Sequence, residues 1–347
     1  MKFGHFDDDA REYVITTPRT PLPWINYLGS EDFFTLLSNT AGGYCFYRDA
    51  RLRRLTRYRY NNCPVDQEGF HIYIKDGKTV WNPGWQPTKT ELDRYTCRHG
   101  LGYSVIEGQK NGVSAAQTLM VPQGENCLLI RLCLKNETDI KKTLDVFPYV
   151  EFCLWDAMDD SSNFQRNFSI GEVELEPEAI YHKSEYRERR NHYAVLWANR
   201  PYDGFDTARD AFIGPYGSPA LPEAVAAGCC TGSIAHGWAP VGAMQFHLEL
   251  CPGESQELFF GLGYVENPEG EKFSAPGVIN KTRAHTMIET YRTAAQFDAA
   301  ADALRGYWDT LLSNYHAETG DEKVDRMVNI WNQYQCMVTF NMSRSAS

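Results

Sequence analysis

The sequence predicts a mainly β fold, a large antiparallel β-sandwich followed by helices. Before about residue 270, short segments alternate apolar and polar residues at a period of two, and Gly, Pro, Asn and Asp separate them. After the Asn-Pro-Glu-Gly sequence at 267–270, segments become rich in Ala, Leu, Arg, Glu and Gln, which favour helices. We therefore expect a β-sandwich domain at 1–270 and helical structure beyond it.

Individual strands and turns follow from the same pattern. Apolar residues occupy positions 128, 130, 132 and 134, and again positions 244, 246, 248 and 250. Lys110-Asn111-Gly112 predicts a hairpin between strands at 103–107 and 113–121. Pro252-Gly253 also predicts a turn, with a strand at 258–265 returning as the second arm of another hairpin.

Three helices are expected in the last part of the chain, at 280–294, 296–314 and 321–340. Thr319 and Glu322 have the spacing of a capping box before the third helix. Apolar side chains in that helix recur at helical spacing, so one face should be buried. The predicted buried face consists of Val324, Met327, Val328, Trp331, Tyr334, Gln335 and Val338.

Composition excludes several classes of protein. A formal net charge of −11 over 347 residues argues against a general nucleic-acid surface. Ten cysteines without a Cys-x-x-Cys pair argue against a zinc site, and no metal is expected. No apolar run is long enough to span a bilayer, and the N-terminus has no apolar signal core. We therefore expect a cytoplasmic protein with reduced cysteines and no membrane partner.

Some features allow a functional and a structural interpretation. The arginine-rich and tyrosine-rich stretch at 51–60 resembles a stacking surface for nucleic acid, but the acidic net charge favours internal ion pairs. Trp81 and Trp85 could form a sugar platform, although packing in the core or at an interface is the favoured interpretation. Three histidines are expected to be structural: His5, His99 and His182.

The segment at 156–171 is the most informative part of the chain for function. It is predicted as a loop between a buried strand at 146–155 and a strand-like segment at 168–175. Amides, a guanidinium fork and an aromatic ring are groups that recognise sugar hydroxyls and sugar faces. The alternative is a solvated loop whose Asp and Asn residues only form turns. Its polar and aromatic residues are Asp156, Asp159, Asp160, Asn163, Phe164, Gln165 and Arg166.

Several motifs together resemble the inverting phosphorylases of glycoside hydrolase family 94, in particular enzymes that act on cellobiose. The family architecture implies a β-sandwich at 1–270, a helical linker at 271–318, and the first helix of a truncated (α/α)6 barrel at 319–347. The rest of the barrel and a C-terminal β-domain would belong to the remainder of the enzyme. The resembling segments are Phe3-Gly-His-Phe-Asp-Asp8, Pro23-Trp-Ile-Asn-Tyr-Leu-Gly29, Arg98-His-Gly-Leu-Gly-Tyr103 and Asn329-Ile-Trp-Asn-Gln-Tyr-Gln335.

The resemblance implies a glycosyltransferase that converts cellobiose and inorganic phosphate to α-glucose 1-phosphate and glucose, without a cofactor. Such a phosphorylase needs one acid, since phosphate itself is the nucleophile. In the family this acid and the phosphate-binding groups lie beyond the position of residue 347, so neither Asp159 nor Asp160 is assigned the role. The chain alone is expected to be inactive.

The resemblance also implies which residues bind sugar. Asn163, Gln165 and Arg166 match an Asn-x-Gln-Arg pattern that contacts the leaving glucose on the acceptor side, near the interface of a homodimer. Two other functions remain open. One is a family member acting on cellodextrin, chitobiose or laminaribiose. The other is a non-catalytic carbohydrate-binding module.

Overall fold

A computed structural model describes residues 2–29, 31–58, 69–162, 171–184, 191–235, 237 and 239–344. The helices are α1 (Ala157–Ser162), α2 (Arg209–Ile213), α3 (Glu223–Ala227), α4 (Thr282–Thr290), α5 (Ala294–Leu312), α6 (Glu322–Arg326) and α7 (Asn332–Arg344), with a π-helical turn at Met327–Trp331 between the last two. The strands are β1 (Gly4–Asp7), β2 (Glu12–Ile15), β3 (Ile25–Leu28), β4 (Phe33–Ser38), β5 (Gly43–Tyr47), β6 (Arg54–Thr56), β7 (His71–Asp76), β8 (Thr79–Trp81), β9 (Arg94–His99), β10 (Tyr103–Lys110), β11 (Val113–Met120), β12 (Cys127–Asn136), β13 (Lys142–Trp155), β14 (Gly171–Glu176), β15 (Ala179–Ser184), β16 (His192–Ala198), β17 (Gly204–Ala208), β18 (Pro240–Leu250), β19 (Ser255–Glu266), β20 (Phe273–Ala275) and β21 (Val278–Ile279).

Two large antiparallel sheets confirm the predicted fold class. In the described ranges, a ten-stranded sheet has the order β1-β2-β9-β10-β11-β12-β19-β16-β15-β14. A nine-stranded sheet has the order β17-β18-β13-β6-β5-β4-β3, with β7 paired to β13 and β8 paired to β7. The remaining pair, β20 and β21, forms a small separate ribbon.

The main core lies between the two large sheets. Leu128 and Leu132 of β12 belong to the same buried cluster as Val146 of β13 and Phe246 of β18. All four residues have even numbers, because alternate side chains of a strand point to the same face, and here that face lies inside the sandwich. The predicted alternation at 128–134 and 244–250 is therefore confirmed.

Helices cover the outer face of the ten-stranded sheet and form a second core there. Leu129 and Trp197 of the sheet are buried in one cluster with Phe297, Leu304 and Trp308 of α5. The two helices predicted at 280–294 and 296–314 are confirmed as α4 and α5, and they lie on the sandwich rather than apart from it. Among helices in the described ranges, none combines the length and hydrophobicity that a membrane span requires.

One predicted hairpin is confirmed and the other is wrong. β10 and β11 pair up to Lys110 and Val113, and Asn111 and Gly112 adopt positive φ values of 51° and 72°. Pro252-Gly253 does turn the chain, but β18 enters the nine-stranded sheet and β19 enters the ten-stranded sheet. The two strands cannot pair, because β13 and β17 flank β18 while β12 and β16 flank β19.

The predicted capping box at the start of the last helical segment is wrong. The Thr319 hydroxyl donates to Asp325 Oδ1, and Asp321 caps α6 by accepting from the backbone N–H of Lys323 at 2.9 Å. A complete capping box occurs instead at the start of α5, between Thr293 and Gln296. The spacing of Thr319 and Glu322 therefore located the start of the helix but not its cap.

The buried face of this helical segment agrees only in part with the predicted one. Val338 is buried as predicted and Ile330 is buried without having been predicted, whereas Val324 and Met327 remain 43% and 42% exposed. Val324 and Met327 lie before and at the start of the π-helical turn at Met327–Trp331, whereas Tyr334 and Val338 after it are on the buried side as predicted. The tyrosine of the predicted stripe, Tyr334, does reach the sandwich.

We expect Tyr334→Phe to lower the free energy of unfolding by about 1–3 kcal/mol, because it leaves partly buried polar groups unpaired. The Tyr334 hydroxyl donates to Asn26 Oδ1 at 2.6 Å and accepts from the Tyr27 N–H at 2.9 Å. Urea denaturation measures the change. Tyr307→Phe is a matched control, since Tyr307 on α5 is 39% exposed. Equal losses in both variants would contradict this role of Tyr334.

Candidate functional site

The three predicted sugar-binding residues, Asn163, Gln165 and Arg166, lie outside the described residues. The description stops at Ser162, the end of α1, and resumes at Gly171, the start of β14. The candidate site is therefore built from these two flanks and from the side chains that contact them.

The chain leaves β13 through an unusual backbone conformation. Trp155, the last residue of β13, is fully buried and has a φ of 70°. Bulky side chains rarely adopt this left-handed region.

Helix α1 then begins where a loop was predicted, so the loop prediction is wrong for 157–162. The Ala157 N–H donates to the Arg51 carbonyl at 2.7 Å, and Asp156 Oδ1 accepts from the Met158 N–H at 2.9 Å. These bonds start the helix directly after the strand.

A buried ion-pair network lies under α1; we call it the Arg57 network, and it comprises Arg57, Tyr149, Glu151, Asp160 and Arg209. Arg57 donates two hydrogen bonds to the Asp160 carboxylate, from Nε at 2.7 Å and from Nη2 at 2.9 Å. Arg57 Nη1 also donates to Glu151 Oε2 at 3.2 Å. Arg209 Nε and the Tyr149 hydroxyl both donate to Glu151 Oε1 at 2.8 Å. Two arginines thus face two carboxylates.

Electrostatics favour the charged forms of Glu151 and of the two arginines in this network. Burial alone would disfavour the charged form of Glu151, but Arg57, Arg209 and the Tyr149 hydroxyl outweigh it and lower the pKa of Glu151. Burial likewise opposes the charge on Arg57, yet Asp160 and Glu151 raise the pKa of Arg57 above its ordinary value. Asp160 forms a buried ion pair with Arg57.

Aromatic rings and imidazoles form a stack beside the same strand end. The His182 ring lies parallel to Phe152 at 4.9 Å and to Trp155 at 6.1 Å, and His192 contacts Trp155 edge-on at 4.3 Å. Within the described residues, neither ring nitrogen of His182 has a hydrogen-bond partner. Burial lowers the pKa of His182 to about 3, so this imidazole is neutral at ordinary pH. The stack fixes the Trp155 ring at the point where the chain leaves β13.

A cavity of about 450 Å³ with a mixed polar and apolar lining adjoins this stack through Tyr264. Tyr264 lies 5.9 Å from Trp155 and stacks on Tyr47 at 4.1 Å. The volume is within the range of small-molecule sites. Its other polar or charged lining residues include Arg48, Asn126, Glu266, Asn267 and Arg283. The described chain contains no group of three or more His, Cys, Asp or Glu side chains arranged to hold a metal ion.

The structure distinguishes between the functional and the structural interpretation for most of the features that allowed both. Arg53 and Arg57 of the stretch at 51–60 form ion pairs with Glu266 and with Glu151 and Asp160, so internal pairing is confirmed for them. Trp81 is fully buried, as the packing interpretation predicts. His99 and His182 are buried as expected, but His5 is exposed. Sequence reasoning missed Glu151 and Arg209, which gave no local signal.

The two-sheet fold with helices on its outer face is that of a supersandwich domain. Residues 11–294 match the family model described as glycosyl hydrolase 94, supersandwich domain. Residues 307–347 match the model described as glycosyl hydrolase 94 superfamily, catalytic domain. The chain therefore belongs to glycoside hydrolase family 94, as the sequence resemblance implied.

Three named relatives are similar to this chain over nearly its whole length. The chain is 35% identical to N,N'-diacetylchitobiose phosphorylase of Vibrio furnissii and 33% identical to the protein of the same name from Vibrio proteolyticus. It is 28% identical to a 3-O-beta-D-glucopyranosyl-beta-D-glucuronide phosphorylase of Paenibacillus borealis. These matches cover 99–100% of this chain but 42% of each relative. The relatives support the family, and none of these three is named for cellobiose.

Proposed function

We propose that this chain is the N-terminal part of an inverting glycoside phosphorylase. The observation that carries the proposal is the match to two consecutive family 94 domains, together with relatives that are named phosphorylases. In the proposed reaction a phosphate oxygen attacks the anomeric carbon and the glycosidic C–O bond breaks. An acid supplies the proton to the departing oxygen. The products are an α-sugar 1-phosphate and a free sugar.

For the substrate, we propose N,N'-diacetylchitobiose ahead of cellobiose. The two relatives at 35% and 33% identity carry that substrate in their names. Cellobiose, favoured by the motif resemblance, remains the second candidate. The two disaccharides differ at C2 of each sugar, where an acetamido group replaces a hydroxyl. Laminaribiose and cellodextrins complete the set to be compared.

The role proposed for this chain is to shape the acceptor side of the active site within a cytoplasmic homodimer. Gln165 and Arg166 would hydrogen-bond the leaving sugar, and the catalytic acid would lie beyond residue 347. We retain the proposed division into a sandwich at 1–270, a linker at 271–318 and the start of a barrel at 319–347. The match of 307–347 to a catalytic domain speaks against a non-catalytic sugar-binding module.

The test is release of sugar 1-phosphate by the whole enzyme that contains this chain, given phosphate and each disaccharide in turn. We expect the highest kcat/KM with N,N'-diacetylchitobiose. Residues 1–347 alone should be inactive, and activity should return only when the remainder of the enzyme is added. Turnover by 1–347 alone would overturn the placement of the acid. A higher kcat/KM with cellobiose would overturn the substrate order.

A substitution in the same enzyme tests the sugar-binding assignment. Arg166→Ala should raise the KM for the free acceptor sugar in the synthetic direction by about ten- to a hundredfold, because a charged hydrogen-bond partner is lost. Arg305→Ala is the control, since Arg305 on α5 has a 70% exposed side chain. An unchanged acceptor KM in the Arg166 variant would remove this residue from the site.

A further inference from the structure

We propose that a cavity between α5 and the outer face of the ten-stranded sheet binds a neutral sugar that carries an N-acetyl group. The cavity has a volume of about 480 Å³, which is within the range of small-molecule sites. The choice of sugar rests on the proposed function, since N-acetylglucosamine is the free sugar expected from phosphorolysis of N,N'-diacetylchitobiose.

Three parts of the chain enclose this cavity. One is the turn between β1 and β2, and another is the inward face of α5. The third consists of two cross-strand pairs of β10 and β11, which are Tyr103 with Met120 and Val105 with Thr118. The sheet belongs to the part of the chain that matches the supersandwich model, whereas α5 extends into the part that matches the catalytic-domain model. The cavity therefore lies at a domain junction, where ligand sites are common.

Two polar side chains that line the cavity have no hydrogen-bond partner in the part of the chain that the structure describes. Trp308 is only 4% exposed, yet its Nε1–H donates to no protein acceptor. The Thr118 hydroxyl likewise has no partner there. Gly102 has a φ of 81°, and a Cβ at this position would lie 3.1 Å from Trp308 Nε1, so the glycine keeps a side chain away from this N–H. A largely buried donor without a partner is costly, and a ligand that supplies an acceptor would remove that cost.

The rest of the lining indicates the class of ligand. Met120 and Leu304 are 1% and 3% exposed, so they present an apolar surface. The outer edge carries two acidic and two basic side chains, including the Arg11–Asp309 pair at 2.6 Å, so no uncompensated charge favours an ionic ligand. An acetamido group combines a carbonyl acceptor for the indole N–H with a methyl group for the apolar surface. The hydroxyls of the sugar would then bond the polar groups.

The first experiment is a ligand-observed NMR titration of the 347-residue chain, with N-acetylglucosamine and glucose as the probes. We expect N-acetylglucosamine to bind at least about tenfold more tightly, because glucose lacks both the carbonyl acceptor and the methyl group. Saturation transfer from the protein should be strongest at the acetamido methyl. Equal affinities for the two sugars, binding of neither, or stronger saturation of the ring protons would each overturn the proposal.

Substitutions on α5 locate the binding. Ala301→Leu places a larger side chain in the cavity and should weaken N-acetylglucosamine binding by at least about tenfold. Ala299→Leu is the matched control, since Ala299 is exposed on the same helix, and its affinity should stay within about twofold of wild type. Trp308→Phe keeps an aromatic ring but removes the N–H, so we expect about fivefold to tenfold weaker binding. Thermal melting shows whether each variant is folded, and equal affinities in the two alanine variants would overturn the site.

The proposed function is tested separately, by the activity of the whole enzyme. A whole enzyme inactive on every disaccharide would overturn the proposed function, while sugar binding that Ala301→Leu abolishes would still support this site. An enzyme active on N,N'-diacetylchitobiose, with no binding that depends on Ala301, would overturn the site alone.

Discussion

Replacing Arg57 with methionine should lower the free energy of unfolding by about 3–5 kcal/mol, the usual cost of removing one partner of a buried ion pair. The substitution deletes both hydrogen bonds to the Asp160 carboxylate and one to Glu151. Arg209 and Tyr149 still contact Glu151, so most of the expected loss in stability comes from the Asp160 carboxylate, which loses both of its hydrogen bonds from Arg57. Denaturant unfolding of wild type and variant at neutral pH measures the difference.

The control for this prediction is Arg305→Met. Arg305 pairs with Asp302 within α5, but both side chains are about seven-tenths exposed, so we expect a loss below about 0.5 kcal/mol. A loss below about 1 kcal/mol in Arg57→Met would contradict the prediction. It would mean that the Asp160 carboxylate gains a new hydrogen-bond partner once the guanidinium is removed.

Acidification from pH 7 to pH 5 should destabilise the protein through His182 by about 2 kcal/mol. Burial lowers the pKa of His182 to about 3, against 6.5 in the unfolded chain. Between these two values the unfolded chain binds a proton that the folded chain does not, so stability falls as the pH decreases below about 6.5. The loss stops growing only near pH 3, where the folded protein also binds the proton.

His182→Leu isolates this contribution. The difference in unfolding free energy between pH 7 and pH 5 should be about 2 kcal/mol smaller in the variant than in the wild type. His316→Gln, at a largely exposed position, should leave that difference unchanged. His99, whose pKa burial lowers to about 4, should account for a similar share of the acid sensitivity. Identical pH dependence in wild type and His182→Leu would contradict the assignment.

Local chemistry made part of the fold predictable. Asn111 and Gly112 tolerate positive φ, so their hairpin could be recognised from three residues. Pro252-Gly253 shows the limit, because a turn sequence reverses the chain but does not choose the strands on either side. Helical periodicity likewise identified Tyr334 and Val338 of α7 as inward-facing, but it did not predict the π-helical turn before that helix, which leaves no composition signal in the sequence.

The candidate site was less predictable than the fold because its contacts are distant in sequence. Arg57 lies 103 residues from Asp160 and 94 from Glu151, and Arg209 lies 58 from Glu151. Charge pattern indicated that arginines near 57 would pair internally, but no spacing rule identifies a partner so far away. The sugar-binding assignment of Asn163, Gln165 and Arg166 came from family resemblance and stays a prediction.

The crossing of the chain between the sheets at Pro252-Gly253 has a consequence for biosynthesis. β12 pairs with β19 along one of its two edges, with Cys133 opposite Glu257. That edge of β12 therefore stays unpaired while about 120 further residues leave the ribosome. Until then a strand of alternating leucines offers unpaired backbone groups to any neighbouring chain. Ribosome-bound intermediates shorter than about 266 residues should therefore need chaperone protection, and fragments divided within the sandwich should aggregate rather than fold.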